Sequence, residues 1–497
     1  MKRLIFSFDW LFAFLLSTSG FGQTPFKDFL ARVNRLPNPA DKTAVVDSFM
    51  RAARFPYSEI DPASPTGYAA YFVYRGSASS VTAPGDFNFW NMAADRLLQL
   101  PATNLWYLGK NFEPEARLDY KFVLNGSTWI LDPHHNKTVP GGFGPNSELA
   151  MPLYVQPEEI QYYPAIAHGR IETTTFASSV LNNSRPVKIY LPPDYDTGSR
   201  QPGVIIVHDG LEYVSLAFMD RVLDHLHSRH EISTPVAVFI PPVSAAERSA
   251  EYAGAKRDLF SRFIVEEILP YVENRYRVDN LASRRATLGA SNGGHISFYL
   301  AFNYPNVFGL AAGQSSYISS QLQSLAAAAQ TLSQRFYVDV GTYDLSGFPP
   351  TNRNWRNQLA SRGFAVQYAE FHEGHSWGNW RAHIDEALRF LFPPDSLTAV
   401  EQARQVPATF ALQQNSPNPW SVSSGEGTKL IFSLEAPAPV SLKVVNVLGQ
   451  TIWQQNWPNL NAGKHAVQLR AKLPPGIYFY QLHAADKVLT KKMIVLP

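Results

Sequence analysis

Between residues 171 and 392, short apolar runs alternate with longer segments of helical period, and nothing else in the chain constrains its fold as strongly. Residues 187–191, 204–207 and 236–240 are runs rich in Val and Ile, the pattern of strands buried on both faces. Residues 286–288, 336–340 and 366–371 read as further strands. Residues 259–276 have helical spacing, with a break expected near Pro270, which lacks an N–H and crowds the preceding turn. Residues 296–302 read as a helix that stops before Pro305. Ile384, Leu388 and Leu391 recur at i, i+4, i+7 and mark a closing helix. Alternation of this kind builds a parallel or mixed sheet covered by helices on both faces.

The flanks follow other periods. Residues 26–54 are helical in pattern, with Phe26, Leu30 and Val33 on one side and Val45, Phe49 and Ala53 on another. From residue 68 to 154 short alternating runs are separated by turn signals such as Pro84-Gly85-Asp86 and Asn125-Gly126, which predicts a small β-sandwich. A Pro-, Ala- and Gln-containing linker follows residue 392, and about 80 residues of alternating strands close the chain. A length of 497 residues suits several such units. The expected order is a leader over 1–22, a helical segment over 23–66, a β-sandwich over 67–160, the α/β unit over 161–395, a linker over 396–412 and a second β-sandwich over 413–497.

The leader rests on Lys2 and Arg3, a mostly apolar stretch over 4–16, and small or polar residues over 17–23, where Gly20 and Gly22 suit cleavage near Gln23. No other segment is long and apolar enough to span a bilayer. The formal net charge is +2, without a dense Lys/Arg run in the mature chain, so nucleic acid and anionic membrane surfaces are not expected partners. The cysteine count is 0, which excludes disulfides, Cys-ligated zinc and a cysteine nucleophile.

Gly289-Ala290-Ser291-Asn292-Gly293 is a G-x-S-x-G sequence. It follows a predicted strand and opens a predicted helix, the setting of the nucleophile elbow of α/β hydrolases. The small neighbours permit the sharp turn that lifts the Ser291 hydroxyl out of the sheet, and the Asn292 N–H then points at the same space. A serine hydroxyl needs a base, and in this fold the chain order is Ser, acid, His. His375, in His372-Glu373-Gly374-His375-Ser376-Trp377, lies between the last predicted strand and the last helix, with Gly374 allowing a tight turn; His372 is the competitor. The two histidines are at i and i+3, not the i and i+4 of a zinc-protease helix, so no metal is assigned. The acid is expected at Asp344, in the loop after strand 336–340, with Asp339 inside the strand as the alternative. The second oxyanion donor should follow an early strand, and the N–H of Gly210 or Leu211 in His208-Asp209-Gly210-Leu211 is in that place. Tyr213, Trp377 and Trp380 lie beside these residues in sequence, either as an aromatic wall against substrate or as fold packing. The adjacent His134 and His135 read as solvated loop residues.

These segments resemble the enterochelin-esterase-like (Fes-like, esterase D) branch of the α/β hydrolases. The match is carried by His208-Asp209-Gly210, by Arg248 with Glu251-Tyr252, and by segments 263–271, 288–294, 340–344 and 374–381, in family order. It implies ester hydrolysis by Ser291, Asp344 and His375 without a cofactor, with Arg248 among the substrate-binding residues. It leaves a siderophore, a feruloyl and an acetyl-carbohydrate ester open. The region 67–160 resembles the early-set (immunoglobulin-like) domain that precedes such catalytic domains, through Gly85-Asp86-Phe87-Asn88-Phe89-Trp90, Leu131-Asp132-Pro133 and Asn146-Ser147-Glu148-Leu149. The last 80 or so residues are similar to the sorting domain of the type IX secretion system. Asn415-Ser416-Pro417-Asn418-Pro419, Val445-Asn446-Val447-Leu448-Gly449-Gln450 and Lys491-Lys492-Met493-Ile494-Val495 carry that likeness. It implies the secretion machinery as a partner and a secreted or cell-surface location. The expected function is that of a secreted serine carboxylesterase; the alternatives are an acyltransferase on the same triad or a noncatalytic surface glycan-binding protein.

Overall fold

The computed structural model describes residues 25–329, 334–394, 410–421, 427–434, 438–460, 463–471, 473–485 and 487–496. The expected leader and most of the expected linker lie outside them. Six strands, Val236–Ile240, Val204–His208, Arg285–Ala290, Leu310–Gln314, Arg335–Tyr343 and Ala365–Gly374, pair in parallel in that spatial order. An antiparallel hairpin, Arg170–Ser178 with Asn183–Leu191, borders the first of them. Alternate side chains feed two cores. Val204 and Ile206 pack with Phe263, Ile296 and Trp355, whereas Ile205 and Val207 pack with Val222, Leu223 and Leu388. Both faces are thus covered, which is why these strands read as unbroken apolar runs.

The helix expected over 259–276 is three consecutive pieces, Arg257–Arg262, Phe263–Ile268 and Leu269–Arg275, and the middle one is π-helical. Pro270 offers no N–H to the carbonyl four residues back, and the wider turn just before it absorbs that loss. Residues 26–54 form two helices, Phe26–Arg35 and Pro39–Ala52; the Asn38 side chain caps the second by accepting from Ala40 N–H at 2.9 Å. Phe26, Phe29 and Val33 are the buried face of the first, against Tyr57, Tyr71 and Val73.

The N-terminal strands form a four-stranded antiparallel sheet around Tyr68–Arg75 and Leu105–Asn111 and a three-stranded one around Phe122–Leu124. Phe72, Trp106, Tyr120 and Leu149 lie in the core between these layers. Arg117–Tyr120, Asn146–Ala150 and Thr138–Val139 do something the sequence does not announce. They continue the large sheet beyond Ala365–Gly374, through a parallel pairing of Glu373 with Arg117, to a total of 11 strands. The C-terminal unit is a second sandwich. A three-stranded and a five-stranded sheet bury Leu430, Phe432, Leu442, Val444, Tyr480 and Met493 between them.

Candidate active site

Ser291 stands between the Arg285–Ala290 strand and the Asn292–Asn303 helix with φ 56° and ψ −119°. A non-glycine residue held there is strained and needs its surroundings to enforce the turn. They do so at two points. The Ser291 N–H donates to the Gln314 carbonyl at 2.9 Å, and the Ser291 carbonyl accepts from the Tyr317 N–H at 3.1 Å. Gly289 must lack a side chain, because a Cβ would lie 2.6 Å from the Gly293 carbonyl carbon. The half-buried Ser291 side chain is left at the C-terminal edge of the sheet.

Asp344 and His375 reach the same edge from the ends of the Arg335–Tyr343 and Ala365–Gly374 strands. The His375 Nδ1–H donates to Asp344 Oδ1 at 2.7 Å, and the same oxygen accepts from the Leu345 N–H at 2.6 Å. The Asp344 side chain has no exposed surface, while 18% of the His375 side chain is exposed. Phe348 and Trp380 meet the imidazole edge-to-face, with centroids 5.3 and 5.1 Å away, and fix its plane. Among the described residues the Ser291 hydroxyl makes no direct hydrogen bond to the imidazole. In substrate-free hydrolases that contact is often long and tightens in the complex.

The competitors lie elsewhere. Asp339 is fully buried in its strand, bonded by Gln314 Nε2–H at 3.2 Å, and burial pushes its carboxyl up to about 7. His372 bonds Thr342 Oγ1 at 3.0 Å and faces Glu113 and Glu115.

Gly210 and Leu211 open the short Gly210–Ser215 helix, where first-turn N–H groups have no intrahelical acceptor. A Cβ on Gly210 would lie 2.3 Å from Ile240 N, so the loop is pressed against the neighbouring strand. Arg248 ties this loop to the elbow. Its Nε–H and Nη2–H donate to the two Asp209 carboxylate oxygens at 2.7 Å each, and Nη2 also reaches the Ala290 carbonyl at 3.2 Å. Burial works against the guanidinium charge, but the Asp209 carboxylate outweighs it and holds the Arg248 pKa above its ordinary value. Arg248 thus bonds the site's own loops, with 28% of its side chain left exposed.

The expected aromatic wall is corrected by burial. Tyr213 is 0% exposed and donates its hydroxyl proton to Gln314 Oε1 at 3.0 Å. It packs edge-to-face on Trp377, and Trp377 on Trp380. With Trp377 8% and Trp380 6% exposed, these rings are the backing of the site and leave little surface for a ligand. Exposed side chains beside the triad residues are instead Tyr317, 43% exposed over the elbow, and Leu345, 39% exposed next to Asp344. Gln314 escaped the sequence reading. Besides its contacts to Ser291, Tyr213 and Asp339, its Nε2–H donates to the Trp380 carbonyl at 3.0 Å. A polar residue closing the run Leu310–Gln314 was the available signal. Among the described residues the one group with metal-ligand spacing is Glu158, Glu159 and His225. Its carboxylates are already paired with Arg229 and Arg389.

Residues 178–391 match the family described as "Putative esterase", and residues 426–496 match the secretion system C-terminal sorting domain. The uncharacterized protein YjcH of Bacillus subtilis (strain 168) is 26% identical over 234 residues, 45% of this chain and 97% of that protein. The crystal structure of the enterobactin esterase FES from Shigella flexneri, determined in the presence of enterobactin, is similar with a TM-score of 0.59. Its identity is 20%, over 69% of this chain and 97% of that one. Ferric enterobactin esterase (Fes) from Salmonella typhimurium gives a TM-score of 0.59 at 18% identity, over 69% and 98%. At such identities the likeness is one of fold, an α/β hydrolase with a preceding β-sandwich.

Proposed function

We propose, on the premise that residues 178–391 are an esterase-family domain and residues 426–496 a type IX sorting domain, that this protein is an exported serine carboxylic-ester hydrolase working through an acyl-enzyme. The observation that carries the reading is the 2.7 Å bond from His375 to the fully buried Asp344, together with a serine in the strained elbow conformation after a strand of the same sheet. His375 Nε2 takes the proton of Ser291 Oγ as that oxygen attacks the ester carbonyl. The N–H groups of Asn292 and of Gly210 or Leu211 hold the oxyanion, each worth about 3–4 kcal/mol in kcat. The imidazolium, stabilised by Asp344, gives its proton to the leaving alkoxide. Water, deprotonated by the same imidazole, then attacks the acyl carbon and regenerates Ser291. Every step uses groups of this chain and water.

The leader over 1–22 and the sorting domain together support passage across both membranes of a bacterial envelope. The acyl group is carried by a siderophore, feruloyl or acetyl-carbohydrate ester, with Tyr317, Leu345 and Phe348 lining the entrance. Steady-state hydrolysis of an aryl acetate by the mature chain and by Ser291→Ala tests the chemistry. The variant should lose about six orders of magnitude in kcat, and retained turnover would remove the assignment. Profiling on enterobactin, ethyl ferulate and acetylated xylan then separates the three ester classes.

A further inference from the structure

The turn that carries His375 is closed from outside by two side chains that do not belong to the esterase-family region. A Cβ on Gly374 would lie 2.1 Å from Asp86 Cγ, and a Cβ on Gly378 would lie 1.7 Å from Arg117 Nη1. The glycines on either side of His375 are therefore the openings through which the N-terminal sandwich reaches the turn. Asp86 comes from the short helical turn Asp86–Asn88, and Arg117 opens the strand Arg117–Tyr120.

Both groups are built in. Arg117 is 1% exposed; its Nε–H donates to Glu148 Oε2 at 3.0 Å, and Nη2 lies 2.6 Å from Asp119 Oδ1. Its remaining edge, Nη1, reaches Ser376 Oγ at 3.5 Å. Asp86 is 3% exposed; Oδ2 accepts from the Asp119 N–H at 2.8 Å and Oδ1 from Trp90 Nε1–H at 2.9 Å. From Ser376 the contacts return to the turn. Ser376 Oγ accepts from the Asn379 N–H at 3.4 Å, and Asn379 Nδ2–H donates to the Gly374 carbonyl at 3.0 Å. Glu373, the residue before Gly374, pairs in register with Arg117. An apolar pair of similar volume could fill this space at no loss of stability, so stability alone does not call for a buried arginine between two carboxylates. What the arrangement supplies is direction. A guanidinium fixed by two carboxylates presents one edge at one place.

We infer that Arg117 and Asp86 are positioning residues for the ester hydrolysis proposed above: from the N-terminal sandwich they hold the 374–378 turn so that the His375 ring faces Asp344 on one side and Ser291 on the other. The sandwich is then a working part of the catalytic unit, and the His375 turn is incomplete without it.

The test uses the full mature chain carrying Arg117→Ala, Arg117→Lys and Asp86→Asn, with an aryl acetate as substrate and near-UV circular dichroism as the measure of fold. Arg117→Ala should lower kcat roughly 10- to 100-fold, the cost of a misplaced catalytic group, with KM within about threefold, because the exposed entrance residues are untouched. Arg117→Lys, which keeps the charge but not the fork, should recover part of kcat, and Asp86→Asn should fall between wild type and Arg117→Ala. A folded Arg117→Ala with kcat within about twofold of wild type, or one whose loss lies in KM and not in kcat, would overturn the inference. If Arg117→Ala does not fold, Ser376→Ala takes its place. It removes the contact to Arg117 together with the cap on the Asn379 N–H and should show a smaller kcat loss with KM unmoved; an unchanged kcat there counts against the inference. The failure of the esterase reading itself would be seen separately, as wild type and Ser291→Ala behaving alike.

Discussion

Ser291 is a residue placed against its own backbone preference. Holding a non-glycine side chain at φ 56° and ψ −119° costs about 1–3 kcal/mol, sustained by the bonds to Gln314 and Tyr317. Ser291→Gly should therefore abolish turnover yet raise the stability of the chain by about 1 kcal/mol, read as a higher midpoint in thermal or urea melts. Asp344→Asn should keep the fold and lower kcat about 10⁴-fold, because the amide stabilises the wrong tautomer of His375. Asp86 has a signature of its own. Burial, and then the neighbouring Asp119 carboxylate, push its pKa up to about 8, far above an unfolded aspartate. Its proton is thus held more tightly in the folded state. The contribution of this group to stability falls as pH rises from about 4 to about 8, since the folded state is the one that resists losing the proton. Urea melts at pH 5 and pH 8 should show wild type losing stability relative to Asp86→Asn over that interval.

At the scale of elements, what the sequence made legible was what depends on local order. The strand ending at Ala290, the glycines and the following helix could be read together, and the structure places Ser291 at their junction. Asp344 could be preferred to Asp339 because one follows a strand and the other lies within it; the structure brings Asp344, and not Asp339, to His375. Elements with small or polar sequences were missed. Leu310–Gln314 is Leu-Ala-Ala-Gly-Gln, too small-featured to read as a central strand, and Phe348–Ser361 carries few apolar residues to mark its period. Tyr213, Trp377 and Trp380 were ambiguous because adjacency in sequence does not say which way a ring points; their burial decides for packing. Close approach between elements gives a prediction here. Gly289→Ala would drive a Cβ into the Gly293 backbone, which cannot step aside without opening the elbow. It should destabilise by roughly 1–3 kcal/mol and take activity with it, whereas an alanine at exposed Gly347, with nothing within 4 Å but φ of 86°, should cost only stability.

The whole molecule divides into a unit ending at Asp395 and a C-terminal sandwich with its own core. Within the first unit the N-terminal strands and the esterase-family region share one sheet, and the link between Arg117 and Ser376 spans 259 positions of sequence. No periodicity or motif signals a contact of that range. The C-terminal unit is matched by a sorting domain and carries none of the proposed catalytic residues. Removing residues 413–497 should therefore leave kcat of the purified enzyme unchanged while abolishing its appearance outside the outer membrane, checked by activity in the culture medium against activity in cell extracts.

The most direct measurement is mass spectrometry of the mature chain after reaction with a fluorophosphonate. The expected result is a single phosphonyl group, mapped to Ser291 and accumulating in step with the loss of ester hydrolysis. Labelling of a different residue, or a Ser291→Ala variant that hydrolyses an aryl acetate at the wild-type rate, would contradict it.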